Sequence, residues 1–256
     1  MNREIDKSLL VQRFSRAIET YNREAVAQQQ IACRMEEMLV RQLERPCNRV
    51  LEIGCGTGFL TRRLVAAIHP ERLFLNDICS DMRSCFSDLM KEQRAEFLDG
   101  DAEQLEFPSG LDLIVSCSVL QWFARPDNFF KRCHEALAPQ GYIAFSTFGN
   151  DNLKEVSAVT GTGLAYRSLE EWKQMLLPQY HVITASEERI QMTFDHPLLV
   201  LRHLKHTGVT AVARQAWTPG DLQRFCREYE RLFTHRNKVE LTYHPIYIIA
   251  RKRASS

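Results

Sequence analysis

The chain has 256 residues, 45% hydrophobic and 25% charged, with a formal net charge of +1. Those are ordinary globular proportions, with enough chain for one α/β domain or two small ones and a sizeable core. So even a charge balance gives no global field that would draw the protein to nucleic acid or an anionic membrane.

The first residues, MNREIDKSLLVQRFSRAIE, are charged throughout and lack the apolar stretch of a secretory signal. Their arginines and amphipathic spacing resemble a transit peptide, but Glu4, Asp6 and Glu19 argue against one. No stretch is long and apolar enough to predict a membrane span. Between Arg3 and Leu43, residues such as Leu9, Leu10, Phe14, Ala17 and Ile18 fall at helical spacing. They predict two helices that part around Tyr21 to Glu24. Pro46 and Asn48 then punctuate the chain.

Short apolar runs follow, alternating with helices. Strands are predicted at Arg49–Ile53, Arg72–Asn76, Ala95–Leu98, Leu111–Ser116 and Tyr142–Thr147. Helices are predicted at Phe59–Ile68, Asp81–Gln93 and Asn128–Leu137, the last ending before Pro139 and Gly141. Only a loop or short turn is expected between Leu98 and Leu111. Such alternation argues for a parallel sheet covered on both faces. In the last third, Leu169–Leu177 reads as a helix and His181–Phe194 as one long strand. Pro197–Thr207 and Pro219–Phe233 read as helices, the second with Thr218 as N-cap and Pro219 at its first position. Lys238–Arg251 reads as a strand interrupted by Pro245, which suggests an edge or a bulge. The second helix is basic, with Arg214, Arg224, Arg227, Arg231, Arg236 and Lys238 in or near it, offset by Asp221, Glu228 and Glu230. A solvated face is the plain reading and a docking patch for an acidic partner the sharper one.

The eight cysteines (Cys33, Cys47, Cys55, Cys79, Cys85, Cys117, Cys133 and Cys226) stand singly, without a CxxC pair. Reduced thiols in a cytosolic protein are expected, with no zinc or redox motif. No His/carboxylate cluster marks a metal site either.

The stretch VLEIGCGTGFL places Gly54, Gly56 and Gly58 directly after the first strand, with Glu52 just before them. A phosphate-cradling P-loop needs Lys-Ser/Thr after its last glycine, and Phe59-Leu60 stands there instead. A dinucleotide fingerprint needs GxGxxG, and the spacing here is GxGxG. The ExGxGxG pattern resembles motif I of the class I S-adenosylmethionine-dependent methyltransferases. This cofactor carries no phosphate, so the glycines serve to let the backbone pass close beneath ribose and methionine. Downstream residues fit the resemblance. The second strand ends in Asn76-Asp77, where an acid can accept the ribose hydroxyls. The third ends in FLDGDAEQ, where the family's pattern implies that Asp101 accepts from the adenine amino group beside the Ala102 amide. Ile78 and Met82 would flank the adenine, with plain core packing equally open to them. Ser116, at the end of the fourth strand, completes the cofactor set. Ser116-Cys117-Ser118-Val119 there is not the (D/N)PP(Y/F) of many nitrogen methylators, which disfavours exocyclic-nitrogen chemistry.

Four further segments resemble the malonyl-acyl-carrier-protein O-methyltransferases of biotin synthesis. They are RFSRAIETYNREAVAQ, SVLQWFARP, FSTFGNDNLKEV, and LRHLKHTGVT followed by LTYHPIYIIAR. Ile18 departs from the small residue usual there. The resemblance implies a Rossmann-like class I α/β fold: a mostly parallel sheet with an antiparallel last strand and helices on both faces. It divides the single domain into an N-terminal helical lid (1–46), a cofactor core (47–194), a helical insertion (195–237) and a last strand with tail (238–256). It implies methyl transfer from S-adenosylmethionine to the free carboxylate of a malonyl thioester, priming pimeloyl-thioester synthesis for biotin. Carboxylates are ionised at neutral pH, so no general base is required. Another small acid, phenol or quinone precursor stays open as acceptor, and so does a non-catalytic module.

The same resemblance makes Tyr21 the candidate at the transfer centre and lets Gln28 reach the cofactor. Arg16, His203, Lys205 and Thr207 become candidates for substrate binding. Trp122, beside Gln121, would wall off water near the methionine end. The implied partner is malonyl-acyl carrier protein, with malonyl-coenzyme A as the alternative carrier, and the protein is expected to be a monomer in the cytoplasm. For each substrate candidate an ordinary helix-surface role stays open, for Gln28 that of a surface amide, for Tyr21 that of a half-buried aromatic, and for Trp122 a core role.

Overall fold

A computed structural model describes residues 6–92, 94–208 and 217–254. The chain opens with helices α1 (Lys7–Glu24) and α2 (Val26–Gln42). Asp6 caps α1 by accepting from the Leu9 amide at 3.1 Å. The helices part at Ala25, one residue beyond the expected interval, where the side chain is fully buried.

The α/β core then runs β1 (Arg49–Ile53), α3 (Phe59–Ile68), β2 (Arg72–Asp77), a 3-10 turn at Ser80–Phe86 leading into α4 (Ser87–Lys91), β3 (Ala95–Asp99), β4 (Leu111–Cys117), a second 3-10 turn at Leu120–Trp122, α5 (Pro126–Ala136) and β5 (Leu137–Phe148). β1 and α3 have their predicted bounds. The single helix expected over Asp81–Gln93 is instead a tight turn and one helical turn. Short polar side chains compete with the backbone there: the Ser84 hydroxyl donates to the Asp81 carbonyl.

The remainder is α6 (Lys154–Thr160), α7 (Leu169–Leu176), β6 (Tyr180–Glu187), β7 (Ile190–Phe194), α8 (Pro197–His206), α9 (Pro219–Phe233), β8 (Thr234–His235), β9 (Lys238–Tyr243) and β10 (Pro245–Lys252). α6 was not anticipated. The Thr218 cap of α9 forms a full capping box with Asp221. Among the described residues no helix is long and apolar enough to cross a membrane.

Seven strands form the main sheet in the order β3-β2-β1-β4-β5-β10-β6, and β7, β9 and β8 form a second, small sheet. β1 to β5 pair in parallel, while β10 runs antiparallel to both β5 and β6. Two expectations are corrected here. The stretch His181–Phe194 is two strands in different sheets, and Lys238–Arg251 is likewise two. Both segments turn the same corner, where the Glu188 amide donates to the Pro245 carbonyl at 3.1 Å. Pro245 therefore marks neither an edge nor a bulge. It is the first residue of an interior strand, paired opposite Phe148, a position at which proline is tolerated.

The sheet carries a core on each face. Val50, Leu113, Val115, Tyr247 and Ile249 pack on one side with α2 and α3 residues such as Met35, Leu39 and Leu64. Leu51, Ile53, Ile114, Ile246 and Ile248 pack on the other with Phe130 and Cys133 of α5 and Trp172 of α7. This alternation along β1 and β10 follows from the period of two in a strand. It leaves the C-terminal ends of β1, β2 and β4 opening toward one rim, where ligands of open α/β sheets bind. α1 lies along that rim.

Candidate active site

The chain leaves β1 at Gly54 with φ +68, and a Cβ there would stand 2.3 Å from Cγ2 of Val119. Only glycine permits both the left-handed backbone and this approach. Two residues on, the Gly56 amide donates to Oδ2 of Asp77 at 2.8 Å, and Oδ1 of Asp77 accepts from the Cys79 amide at 2.9 Å. The acid at the end of β2 is thus held across the glycine turn. Burial raises its carboxyl above the ordinary value, against the lowering effect of those two amides.

A cavity of about 770 Å³ opens over this turn. Gly54, Gly56, Asp77, Ile78, Asp101 and Ala102 all line it, with Met82. Its roof comes from α1, through Lys7, Leu10, Phe14 and Tyr21. Lys7 reaches across to Oδ2 of Asp101 at 2.6 Å and to Oε2 of Glu103 at 2.5 Å. Further along α1, Ser15 donates to Asp81, and Asn22 accepts from Thr57 of the glycine turn. The Phe14 ring meets Trp122 edge-on at 6.4 Å.

A second cavity of about 470 Å³ continues behind the glycines, lined by Glu52, Gln28, Tyr21 and Thr57 among others. Glu52 is 2% exposed and accepts from the Thr61 hydroxyl at 2.7 Å. Burial pushes its carboxyl up to about 8, the Thr61 hydrogen bond opposing and Asp77 reinforcing. A third cavity of about 350 Å³ lies toward β5 and α8, with Gln28, Gln121, Trp122 and Thr207 in its wall. Tyr21 and Ser118 line all three cavities. Burial raises the Tyr21 phenol well above its ordinary value, so it stays protonated and able to donate. Ser118 follows β4 in a left-handed conformation, φ +59, unusual for a residue with a Cβ. Its buried hydroxyl and the buried Gln28 amide make no hydrogen bond of good geometry among the described residues, their polar neighbours being the Cys117 thiol and the Tyr243 hydroxyl. Buried orphan polar groups are rare in folded proteins. Both groups line the second and third cavities, as groups awaiting a polar ligand would. The fit to an adenosine cofactor is therefore good: an acid at the ribose end, an acid and a small residue at the adenine end, and free polar groups at the methionine end.

Four anticipated site residues lie elsewhere. Arg16 is exposed on α1 and Lys205 is exposed on α8, and neither lines any of these three cavities. His203 is buried with Nε2 2.9 Å from the Tyr243 hydroxyl, against the rings of Phe194 and Tyr243. Burial lowers its pKa and keeps it neutral, a packing role in the small-sheet core. Ser116 donates to the Ile53 carbonyl at 3.0 Å and ties β4 to β1 behind the cavity wall. Thr207 does line the third cavity, though its hydroxyl is spent on the His203 and Leu204 carbonyls. On α9, Arg224 pairs with Asp221 and Arg231 with Glu228, so part of the basic face is neutralised within the helix. Arg214 lies outside the described residues. Sequence reasoning missed Lys7, Phe14 and Ser118. Phe14 belongs to an apolar stripe at helical spacing that reads as core, and Lys7 is one of several charged residues near the start of the chain. Nothing in a serine announces a left-handed backbone.

Comparison with known proteins gives the family. The family model for a methyltransferase domain matches residues 51–145. A malonyl-acyl-carrier-protein O-methyltransferase of Bacteroides thetaiotaomicron is 48% identical, over 97% of this chain and 99% of that protein. One from Bacteroides fragilis is 53% identical over 96% of this chain, which spans 51% of that longer protein. Among solved structures, the N-methyltransferase NodS of Bradyrhizobium japonicum, in complex with S-adenosylhomocysteine, shares the fold. Its TM-score is 0.52 at 15% identity, covering 86% of each chain. Fold, cofactor turn and near full-length identity converge: the chain belongs to the malonyl-acyl-carrier-protein O-methyltransferase family of class I S-adenosylmethionine-dependent methyltransferases.

Proposed function

We propose that the protein transfers a methyl group from S-adenosylmethionine to the free carboxylate of a malonyl thioester on acyl carrier protein. The observation that carries this reading is the meeting of the cofactor cavities with a third, separate compartment at Tyr21 and Ser118. Asp77 would take the ribose hydroxyls, and Asp101 with the Ala102 amide the adenine edge. Glu52 and Gln28 would hold the methionine end, with Gly54 and Gly56 beneath it. When bound, the cofactor supplies an electrophilic methyl group on a cationic sulfur.

The protein's own task is alignment and exclusion of water. Trp122, 6% exposed and lining both the first and third cavities, shuts solvent from the junction. Tyr21 donates its phenolic proton to acceptor or cofactor there without surrendering it. No group is required to remove a proton from the acceptor, since a carboxylate is ionised at neutral pH. Methylation hides that charge, so that chain-extending enzymes of fatty-acid synthesis handle the ester as an apolar chain. The thiols, all eight free, support a cytosolic setting, and we place the enzyme there as a monomer.

Mass spectrometry of malonyl-acyl carrier protein incubated with enzyme and S-adenosylmethionine tests this. The expected product is heavier by one methylene unit and loses it on ester hydrolysis. An unchanged carrier at stoichiometric enzyme, with a free small acid or phenol methylated instead, would overturn it.

A further inference from the structure

The third cavity holds a hydroxyl whose oxygen already accepts a hydrogen bond and whose proton is unspent. Asn152 is 2% exposed, and its Oδ1 accepts from the His244 amide at 3.2 Å. A backbone N–H can only donate, so the Asn152 amide is fixed with its nitrogen on the other side. That nitrogen donates to the Tyr166 hydroxyl at 2.8 Å. The phenol oxygen is therefore already an acceptor, and its own proton has no acceptor among the described residues. Tyr166 and Asn152 both line the cavity. Burial raises the phenol to about 12, so the proton stays on at any working pH.

The compartment has a second property. Its walls are aromatic and aliphatic side chains with neutral amides and hydroxyls, and no charged side chain lines it among the described residues. An anion entering such a space loses hydration and needs a counter-charge. S-adenosylmethionine, held in the adjoining cavities that share Tyr21 and Ser118 with this one, would supply it through its sulfonium. A neutral donor also suits the chemistry better than a guanidinium. It fixes one carboxylate oxygen while drawing little electron density from the other, whereas a bidentate arginine would occupy both.

Building on the reading of the protein as a carboxyl methyltransferase, we infer that Tyr166, oriented by Asn152, binds one oxygen of the acceptor carboxylate. The site thereby takes a small monoanionic acid whose counter-charge is the sulfonium itself. The other oxygen forms the new bond to the methyl carbon as the carbon–sulfur bond breaks, and that bond's electron pair remains on sulfur. No proton moves. Tyr166 is a binding residue and Asn152 a positioning residue.

The test uses the full chain, with malonyl-coenzyme A as the acceptor probe. Tyr166→Phe removes one hydroxyl and keeps the ring. It should raise KM for the acceptor about tenfold or more, as expected for a hydrogen bond to a charged group, with cofactor affinity and thermal midpoint unchanged. Asn152→Ala should raise KM less, and should add nothing in the Tyr166→Phe background, because both act through the same proton. In binding assays the acceptor should hold at least tenfold more tightly with sinefungin, whose amine is cationic, than with S-adenosylhomocysteine. Wild-type KM in Tyr166→Phe, or additive effects of the two substitutions, would overturn the role of Tyr166. Equal affinity with the two cofactor analogues would overturn the counter-charge. If the wild-type enzyme methylates no malonyl thioester, the functional reading itself fails, and that result is distinguishable from either.

Discussion

Cofactor binding should expel a proton, and Glu52 should be its source. The Glu52 carboxyl is buried behind the glycine turn and titrates at about 8 against an ordinary 4.5. At pH 7 about nine in ten molecules then carry the proton there. The methionine ammonium of S-adenosylmethionine, placed in the cavity that Glu52 lines, favours the ionised carboxylate. Binding at pH 7 should release about 0.9 proton per molecule, falling toward zero well above pH 8. Titration calorimetry in buffers of different ionisation enthalpy reads this as the slope of the observed heat. Glu52→Gln keeps the shape without the charge; its slope should be zero and its affinity weaker. The same group sets a trend in stability. Its folded value lies above its unfolded one, so its contribution is complete below about pH 4.5 and is lost as pH rises through about 8. The full loss is roughly 5 kcal/mol at most. In Glu52→Gln that decline should flatten. A wild-type binding heat independent of buffer at pH 7 would refute the placement of the ammonium beside Glu52.

Three further outcomes follow from the geometry. Gly54→Ala should lower the thermal midpoint and abolish cofactor binding, because its Cβ meets Val119 at 2.3 Å on a left-handed backbone. Adding Val119→Ala should recover part of the stability, and no recovery would mean that the backbone conformation alone decides. Lys7→Met removes the bridge from α1 to Asp101 and Glu103. Cofactor dissociation, followed by stopped flow, should speed up several-fold and lose its salt dependence; an unchanged rate would show that α1 does not hold the cofactor in. Tyr21→Phe should cut kcat about tenfold with the fold intact by circular dichroism, whereas a wild-type rate would return Tyr21 to a packing role.

Where the determining forces are local, the fold was readable in advance. α9 begins where Thr218, Pro219 and Asp221 say it must, because capping chemistry lies within one turn. The corner at Glu188 and Pro245 was not readable, since β6 and β7 carry one continuous strand-like pattern across it. Which sheet each half joins depends on partners in β10 and β9, far along the chain. α6 was missed because it starts from Leu153, left-handed at φ +54, without a polar cap. The site divides in the same way. Glycine spacing and strand-end acids mark the cofactor turn, since they answer to backbone geometry. Arg16 and Lys205 follow from the family resemblance of their segments, which does not fix the helix face, and both are exposed. The donor at Tyr166 depends on which way the Asn152 amide is turned, and that is settled by His244 at the other end of the chain.

The uncharged compartment beside the cofactor bears on how the enzyme clears itself after each turnover. Before transfer, anion and cation gather each other into a dry space. Transfer extinguishes both charges in one event and leaves an ester and a thioether, each neutral. The attraction between acceptor and sulfonium ends with the reaction it served, so the ester is no longer held by charge, while the spent cofactor keeps its contacts at ribose, adenine and ammonium. A fixed arginine there would go on attracting unreacted acid after the cofactor was spent, and would fill the enzyme with dead-end complexes. By keeping its own walls neutral, the protein lets the cofactor's charge act as the entry ticket, valid for a single turnover.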